Sequence, residues 1–463
     1  MISSDTSGLP VAALAGATVL PPGTVLDGYR LDTMIAQGGF GQVYRATAVA
    51  DGRAVALKIL HGELCSAPSA VARFLREAEV MMRVRHPNVV ELVAWGTVAD
   101  GRPYLAMELL AGTDLARVLS ASGRMPLARV LEIVAPTCAA LAAAHAQNIV
   151  HRDLKASNVF LARGVDGHER VVLIDFGIAK LAVPEATELT TSRQLVGTPV
   201  TMAPEQIAGG TVDARTDVYG LGVMTFHLLT GRLPFEDESA TIVQYLHAHA
   251  RRPRASAFAP VPPAVDDVLM RAMAIDPGQR FADAPAFVAA LRAAIEVPAD
   301  PSAALEPRPA VAILIEVRAS DDTMADPDDA VLTDLEGLLP LAERGLADAG
   351  FATVLHSGNL LLSARVIGDD DAQDRGAAIE LARAVAATLE ARPDRDARVE
   401  FVAVVHAGIA LCAGDVVRAG ELADVAYWTP DPAVRGVVAT RAALDGLPVI
   451  GAAVSDSRVW QVR

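Results

Sequence analysis

The sequence predicts an α+β chain with a bilobal first domain, a small sheet-rich lobe joined to a larger helical one, followed by a C-terminal α/β sandwich domain. Three observations predict it. At 463 residues, 52% hydrophobic and 21% charged, the chain can bury a large core, which excludes whole-chain disorder, collagen and coiled coil. Within the first 296 residues strand patterns come first and long helical patterns follow. Four prolines then fall within residues 297–309, a semi-rigid linker ahead of a second run of strands and helices. Length alone allows roughly three domains of about 150 residues, or two with one of them large.

Taken in order, residues 1–25 are rich in Ser, Gly, Ala and Pro and read as a flexible leader, and residues 26–296 form the first domain. Tyr29 to Lys58 reads as three strands with turns at Gly38-Gly39 and Asp51-Gly52. Helical periodicity marks Ala70 to Val84, Val130 to His145 and Asp217 to Leu229. The second domain spans residues 310–455, opening on a strand from Val311 to Val317 that is apolar on both faces. Helices are expected at Leu332 to Ala349, kinked or restarted at Pro340, and at Ala377 to Leu389, with strands in Val354 to Val366 and Val399 to Leu411. That β-α-β-β-α-β order is the ferredoxin-like arrangement.

Charge is unevenly spread. The net of −16 divides into −12 from residue 310 onward (25 acidic, 13 basic) and −4 before it (31 acidic, 27 basic). Such acidity argues against a nucleic-acid partner, which needs a basic surface. Three cysteines without a CxxC pair read as reduced thiols in a cytoplasmic protein. The apolar stretch from Leu9 to Leu20 lacks a preceding Lys or Arg, so it is not read as a signal peptide. No run approaches 18 uninterrupted apolar residues, so no membrane partner is expected.

Only three of the 40 basic residues are lysines: Lys58, Lys155 and Lys180. A chain so averse to lysine keeps it where a compact ammonium is needed. Lys58 ends the strand Ala54-Val-Ala-Leu-Lys58, and 17 residues before it ends the glycine-dense hairpin Ala36-Gln-Gly38-Gly39-Phe40-Gly41. Glycines let backbone amides approach phosphate oxygens. Lys155 lies in His151-Arg-Asp153-Leu-Lys155-Ala-Ser-Asn158, and Lys180 follows Asp175-Phe-Gly177. With Ala203-Pro204-Glu205 these motifs stand in a fixed order over some 270 residues. The series resembles the bacterial eukaryotic-type (Hanks-type) serine/threonine protein kinases.

The resemblance implies an enzyme that transfers the γ-phosphoryl group of ATP to protein Ser/Thr hydroxyls, with Mg²⁺ as metal. Phosphoryl transfer is mostly positioning and charge neutralisation. By resemblance Lys58 binds the α- and β-phosphates and is held by Glu77, with Glu79 the competing candidate on another helix face. Asp175 and Asn158 bind Mg²⁺, Asp153 orients the substrate hydroxyl, and Lys155 neutralises the moving phosphoryl group, a choice that fits Ser/Thr kinases. Gly38, Gly39, Phe40 and Gly41 cover the nucleotide, Val43 and Ala56 lie above the adenine and Phe160 below. Met107 stands behind the adenine pocket, and Glu108 to Leu110 form the hinge. Ala36 replaces the family's first loop glycine, which is allowed if its φ stays negative.

Arg152 beside Asp153 implies control by activation-loop phosphorylation, with Thr190, Thr191 or Ser192 as autophosphorylation sites and Thr198 as a structural hydroxyl. Asp217 is expected to anchor the catalytic loop, and Glu205 with Arg280 to form a buried ion pair. Lys180 reads as a solvated surface lysine.

The C-terminal module is similar to the catalytic domain of class III nucleotidyl cyclases, in Leu314-Ile-Glu316-Val, in Val405-His-Ala-Gly408 to Asp415, and in Val434-Arg-Gly-Val-Val-Ala-Thr-Arg. Its catalytic residues do not carry over. Glu316 occupies the first metal position, Ser357 replaces the second, and Glu421 and Val425 replace the asparagine and arginine. The reading is a degenerate, catalytically dead regulatory domain that pairs with a second copy of the chain or senses a ligand. The alternatives are a pseudokinase scaffold and a bifunctional kinase-cyclase.

Overall fold

In the computed structural model the described residues are 19–164, 167–175, 201–296 and 306–462, apart from 238, 326, 369–370, 394 and scattered positions between 421 and 457. The first lobe is a six-stranded antiparallel sheet of β1 (Val25–Leu26), β2 (Tyr29–Gln37), β3 (Gly41–Ala48), β4 (Ala54–Leu60), β5 (Leu92–Thr97) and β6 (Pro103–Glu108). Its order is β1-β2-β3-β4-β6-β5. Side chains alternate across a strand. Val55, Leu57 and Ile59 of β4 therefore pack outward with Leu31, Tyr44 and Tyr104. Ala56 and Leu60 face the helix α1 (Pro68–Arg83) with Phe74, Ala78 and Met81. Lys58, between Ala56 and Leu60, must point to α1 by the same alternation.

The second lobe contains β7 (Gly112–Asp114), α2 (Leu115–Ser122), α3 (Leu127–His145), β8 (Val159–Arg163), β9 (Glu169–Leu173), α4 (Pro204–Ile207), α5 (Ala214–Thr230), α6 (Ala240–His249), α7 (Pro263–Ala272) and α8 (Ala284–Glu296). α5 is buried nearly all round and α3 packs beside it. α3 is also the one described helix long and apolar enough to cross a membrane. Here its Ile133, Val134, Cys138, Leu141 and Ala144 lie inside the helical core.

The third sheet is built from β10 (Glu306–Ala319), β11 (Ala352–Ser357), β12 (Leu360–Val366), β13 (Val399–Ala413), β14 (Val416–Gly420), β15 (Gly436–Thr440), β16 (Gly451–Ala453) and β17 (Val459–Val462). It carries the short α9 (Asp321–Ala325), the long α10 (Asp329–Asp348) and α11 (Asp371–Glu390), and α12 (Arg441–Leu444). Strands β11-β12-β10-β13 lie antiparallel in that order, the spatial order that a ferredoxin-like β-α-β-β-α-β path produces. β10 is buried on both faces, as its apolar run requires. Val311, Ile313 and Ile315 pack under α10 and α11, while Ala312 and Leu314 face a second cluster with Leu362 and Val404.

Four expectations need correction. Residues 19–25 are not loose leader: Leu20 is 1% exposed and its amide donates to Tyr44 Oη at 2.9 Å. The linker is shorter than its prolines suggest, because Glu306–Pro309 already pair with β13. Proline is tolerated there since β12 joins the ladder only from Ala310. Pro340 does not restart the helix, because α10 runs through it without interruption. The second domain extends past 455, since β17 pairs with both β15 and β16. Truncation after residue 455 is therefore expected to leave β15 and β16 without their shared neighbour. Calorimetry should show a lower unfolding temperature for the second domain and an unchanged transition for the first.

Candidate active site

Burial and strand register converge several side chains on the junction of the first two lobes. Phe74, Ala78 and Met81 set the buried face of α1, and Glu77 sits on that face at i+3 from Phe74. Lys58 Nζ donates to Glu77 Oε1 at 2.7 Å and lies 3.9 Å from Asp175 Oδ1. The Phe74 ring flanks the ammonium at 5.9 Å. Burial works against the charge on Lys58, but the Asp175 and Glu77 carboxylates outweigh it and hold the ammonium above its ordinary pKa. Burial pushes the Glu77 carboxyl up. Glu79 has no part in this contact.

The β8–β9 hairpin positions the opposite wall. Val159 pairs with Leu173, so Asn158, just before β8, and Asp175, just after β9, emerge at the same end. The Ile174 amide donates to the Asn158 carbonyl at 3.0 Å and fixes that relation. Asn158 Nδ2 donates to the Asp153 carbonyl at 2.8 Å and approaches Asp153 Oδ2 at 3.4 Å. Lys155 Nζ donates to Asp153 Oδ2 at 2.8 Å.

The loop holding Asp153 is anchored from below. Asp217, 1% exposed on α5, accepts from the His151 amide and the Arg152 amide, each at 2.8 Å. Its carboxylate also meets His145 Nε2 at 2.7 Å. Arg152 adopts φ +68°, a left-handed conformation that a non-glycine residue keeps only where its surroundings over-determine it. Burial and the nearby Arg76 lower the Arg152 guanidinium's pKa, against the pull of Asp217. Beneath this, Arg280 grips Glu205 through two parallel hydrogen bonds of 2.9 and 2.7 Å. Thr216 Oγ1 donates to the same carboxylate at 2.7 Å.

The glycine-dense hairpin closes the cleft from above. The Gly38 amide donates to the Gly41 carbonyl at 2.9 Å. A Cβ at Gly41 would stand 2.2 Å from the Ile59 carbonyl oxygen, so β3 and β4 require glycine there. Gly39 and Phe40 form the tip of this turn, and Phe40 is partly buried. Ala36 pairs with Val43 across a bulge and is not among the positive-φ residues, so alanine fits. Ala56 and Met107 pair directly, and Val43, Leu110 and Phe160 pack against the same cluster. The Glu108 carboxylate turns away to Arg170 at 2.6 Å and accepts the Glu91 amide at 3.0 Å. Gly177, Lys180, Thr190, Thr191, Ser192 and Thr198 lie outside the described residues.

Sequence reasoning missed four supporting residues. His145 ends α3 against Asp217. Gln206 Nε2 donates to the Arg152 carbonyl at 2.9 Å. His61 Nε2 meets the Gly38 carbonyl at 2.8 Å, and Phe74 flanks Lys58. Gln206, next to Ala203-Pro204-Glu205, was the one with a positional signal; the others depend on tertiary proximity.

The protein kinase domain profile matches residues 29–290. Serine/threonine-protein kinase pkn3 of Myxococcus xanthus is 37% identical over 275 residues, 58% of this chain and 50% of the relative. Pkn1 of the same organism is 42% identical over 272 residues, 58% of this chain and 38% of the relative. PknJ of Mycobacterium tuberculosis is 38% identical over 279 residues, 60% of this chain and 47% of the relative. The chain thus spans half or less of the length of these curated relatives. The crystal structure of the Mycobacterium tuberculosis PknI kinase domain is 31% identical, covers 59% of this chain and 99% of that chain, and has a TM-score of 0.49.

The Glu205–Arg280 pair makes a direct test of the anchor, because its side chains are 9% and 0% exposed. Arg280→Ala leaves a buried carboxylate uncompensated and should cost about 3–5 kcal/mol in urea unfolding. Burial raises the Glu205 pKa, but hydrogen bonds from Arg280 and Thr216 leave it net below the ordinary 4.5. A depressed carboxylate stabilises above its unfolded pKa and loses that contribution as pH falls through the folded value. The stability gap between wild type and Arg280→Ala should therefore be full at pH 7 and shrink below about pH 4.5.

Proposed function

The chain belongs to the protein kinase family, and from that premise we propose that its first domain transfers the γ-phosphoryl group of ATP to Ser and Thr hydroxyls of protein substrates. The observation that carries this reading is the intact Lys58–Glu77 contact at 2.7 Å facing Asp175, Asn158, Asp153 and Lys155 across one cleft. A pseudokinase scaffold would have no reason to keep all six. Lys58 orients the α- and β-phosphates, and Glu77 keeps its ammonium in place. Asp153 takes up the substrate hydroxyl's hydrogen bond, and Lys155, beside it, adds positive charge where the phosphoryl group moves.

The donor set fits Mg²⁺. Asp175 offers a carboxylate, and Asn158, whose Nδ2 is engaged with Asp153, offers its amide oxygen; hard oxygen donors suit this cation. Bound there, Mg²⁺ supplies positive charge to the β- and γ-phosphates. The glycine-dense turn covers the phosphates, and Val43, Ala56, Met107, Leu110 and Phe160 supply an apolar slot for adenine.

The finer readings are part of the same proposal. Autophosphorylation at Thr190, Thr191 or Ser192 switches the enzyme, and the Arg152 and Arg76 cations support it by offering a phosphate two like charges. The C-terminal domain is a cyclase-like regulatory unit without two-metal chemistry. Its Glu316 is tied to Arg318 at 2.8 Å, and Val425 is buried in an apolar cluster. This domain is also our candidate for homodimerisation, and free Cys65, Cys138 and Cys412 support a cytoplasmic setting.

In a radiolabelled ATP assay, Asp153→Asn should lower phosphate incorporation into a protein substrate by about 10²–10⁴-fold. An inactive wild-type protein would favour the scaffold instead. The full-length Asp153→Asn variant, given ATP or GTP with Mn²⁺, should yield no cyclic nucleotide; measurable product would overturn the assignment of the second domain.

A further inference from the structure

A cavity of about 330 Å³ lies where the helical lobe meets the C-terminal domain, away from the cleft described above. Its wall draws Arg251, Arg252, Arg254 and Ser256 from the segment after α6, and Thr353 and Arg418 from β11 and β14. Four guanidiniums thus gather in a chain whose net charge is −16. Two carboxylates face them from the packed elements. Glu343 accepts from Thr353 at 2.8 Å and meets His356 at 3.2 Å and Arg251 at 3.5 Å. Asp266 accepts both the amide and the hydroxyl of Ser256. Burial lowers the His356 pKa, so the imidazole does not add to the cations at neutral pH.

The four arginines differ in what they already do. Arg252 is 7% exposed and spends its donors on the carbonyls of Met273, Ala250 and His247, so it is part of the wall. Arg254 and Arg418 are exposed, and among the described residues their side chains make no hydrogen bond or ion pair. The field of Arg254 reaches the Asp266 carboxylate, which burial pushes up despite it. The excess is four cations against two carboxylates that are already engaged. Clustering like charges in a recess costs free energy that a bound anion removes. Guanidinium forks match the tetrahedral oxygens of a phosphoryl group. The volume falls in the range of small-ligand sites.

We propose that this interdomain cavity binds a small phosphorylated ligand, which joins the helical lobe to the C-terminal domain through Arg254 on one side and Arg418 on the other. The competing account is that the arginines merely attract the acidic domain, which would leave no affinity for a free anion.

Isothermal titration of the full-length protein with inorganic pyrophosphate, without divalent metal, separates the two. Saturable binding with one pyrophosphate per chain is expected. It should weaken about tenfold in Arg254→Ala and again in Arg418→Ala, and stay unchanged in Lys58→Met, which alters only the nucleotide cleft. Thermal unfolding of the arginine variants without ligand should match wild type, since both side chains are exposed. Inorganic phosphate binding as tightly as pyrophosphate assigns a site for one phosphoryl group; tighter pyrophosphate binding assigns a site for two. Absence of saturable binding, binding lost in Lys58→Met but kept in the arginine variants, or citrate binding as tightly as pyrophosphate would each overturn the proposal. A loss of kinase activity alone would not, because the titration reads binding.

Discussion

Asp217 accepts hydrogen bonds from the His151 and Arg152 amides and meets His145, and the geometry of the cleft follows from those three contacts. Between the turn that follows α3 at 146–148 and the short turn at Ala156–Asn158, the chain runs through residues 149–155 without regular structure. There the His151 and Arg152 amides have no partner in a helix or a ladder and need one from elsewhere. A carboxylate inserted from α5 does what regular structure would otherwise do. It also holds Arg152 at φ +68°, and that kink turns the chain so that Asp153, Lys155 and Asn158 all face the cleft. A charge-assisted hydrogen bond to a backbone amide is about twice as strong as a neutral one. One side chain can therefore over-determine a loop that carries the most exacting geometry in the domain.

The anchor is itself embedded in a connected core. On α5, one residue before Asp217, Thr216 bonds Glu205, and two residues after it Tyr219 lies 4.8 Å beneath the Arg280 guanidinium. Tyr219 Oη meets His247 Nδ1 at 2.6 Å, which reaches α6. Ile242 and Tyr245 of α6 pack against the core of the C-terminal domain, and His249 lies 3.9 Å from its Glu336. A path of direct contacts thus runs from the loop holding Asp153, through α5, to the surface where the second domain sits. Such a path is a physical connection between sites; coupling along it requires two arrangements of α6 that both ends bias.

How much of this was legible in the residues depends on the range of the interaction. Lys58, Asp153, Asn158 and Asp175 stand in contiguous motifs, and local register then decides where they point: alternation in β4 turns Lys58 to α1, and the Val159–Leu173 pair aligns Asn158 with Asp175. The choice of Glu77 over Glu79 was legible for a similar reason, since the helical period places only one of them on the face of Phe74 and Met81. His145 and Phe74 were not, because nothing in a helix sequence distinguishes a histidine or phenylalanine that meets a distant carboxylate or ammonium from one that simply packs. Domain edges failed on a different ground. Prolines at 307 and 309 read as linker, yet a strand paired on one side only tolerates them. The four residues of β17 are too short to show a period, and their partners β15 and β16 make them a strand.

The scarcity of lysine finds its physical explanation in two of the three positions. At Lys58 the ammonium sits 2.7 Å from one carboxylate, 3.9 Å from another and beside the Phe74 ring, with its side chain 16% exposed. A guanidinium there would present a planar fork where a small charge must serve two carboxylates and leave room for phosphate oxygens. At Lys155 the ammonium rests on Asp153 Oδ2, where a bidentate arginine would occupy both carboxylate oxygens and leave none for a substrate hydroxyl. Arginine fills the opposite kind of role elsewhere in the molecule. Arg280 needs the fork to grip both oxygens of Glu205 while also meeting the carbonyls of Ala274, Ile275 and Arg215. The division of labour between the two cations is therefore a matter of shape: arginine where a fixed, buried partner must be held by several donors at once, and lysine where a charge must stay close to a carboxylate without closing it to the reaction.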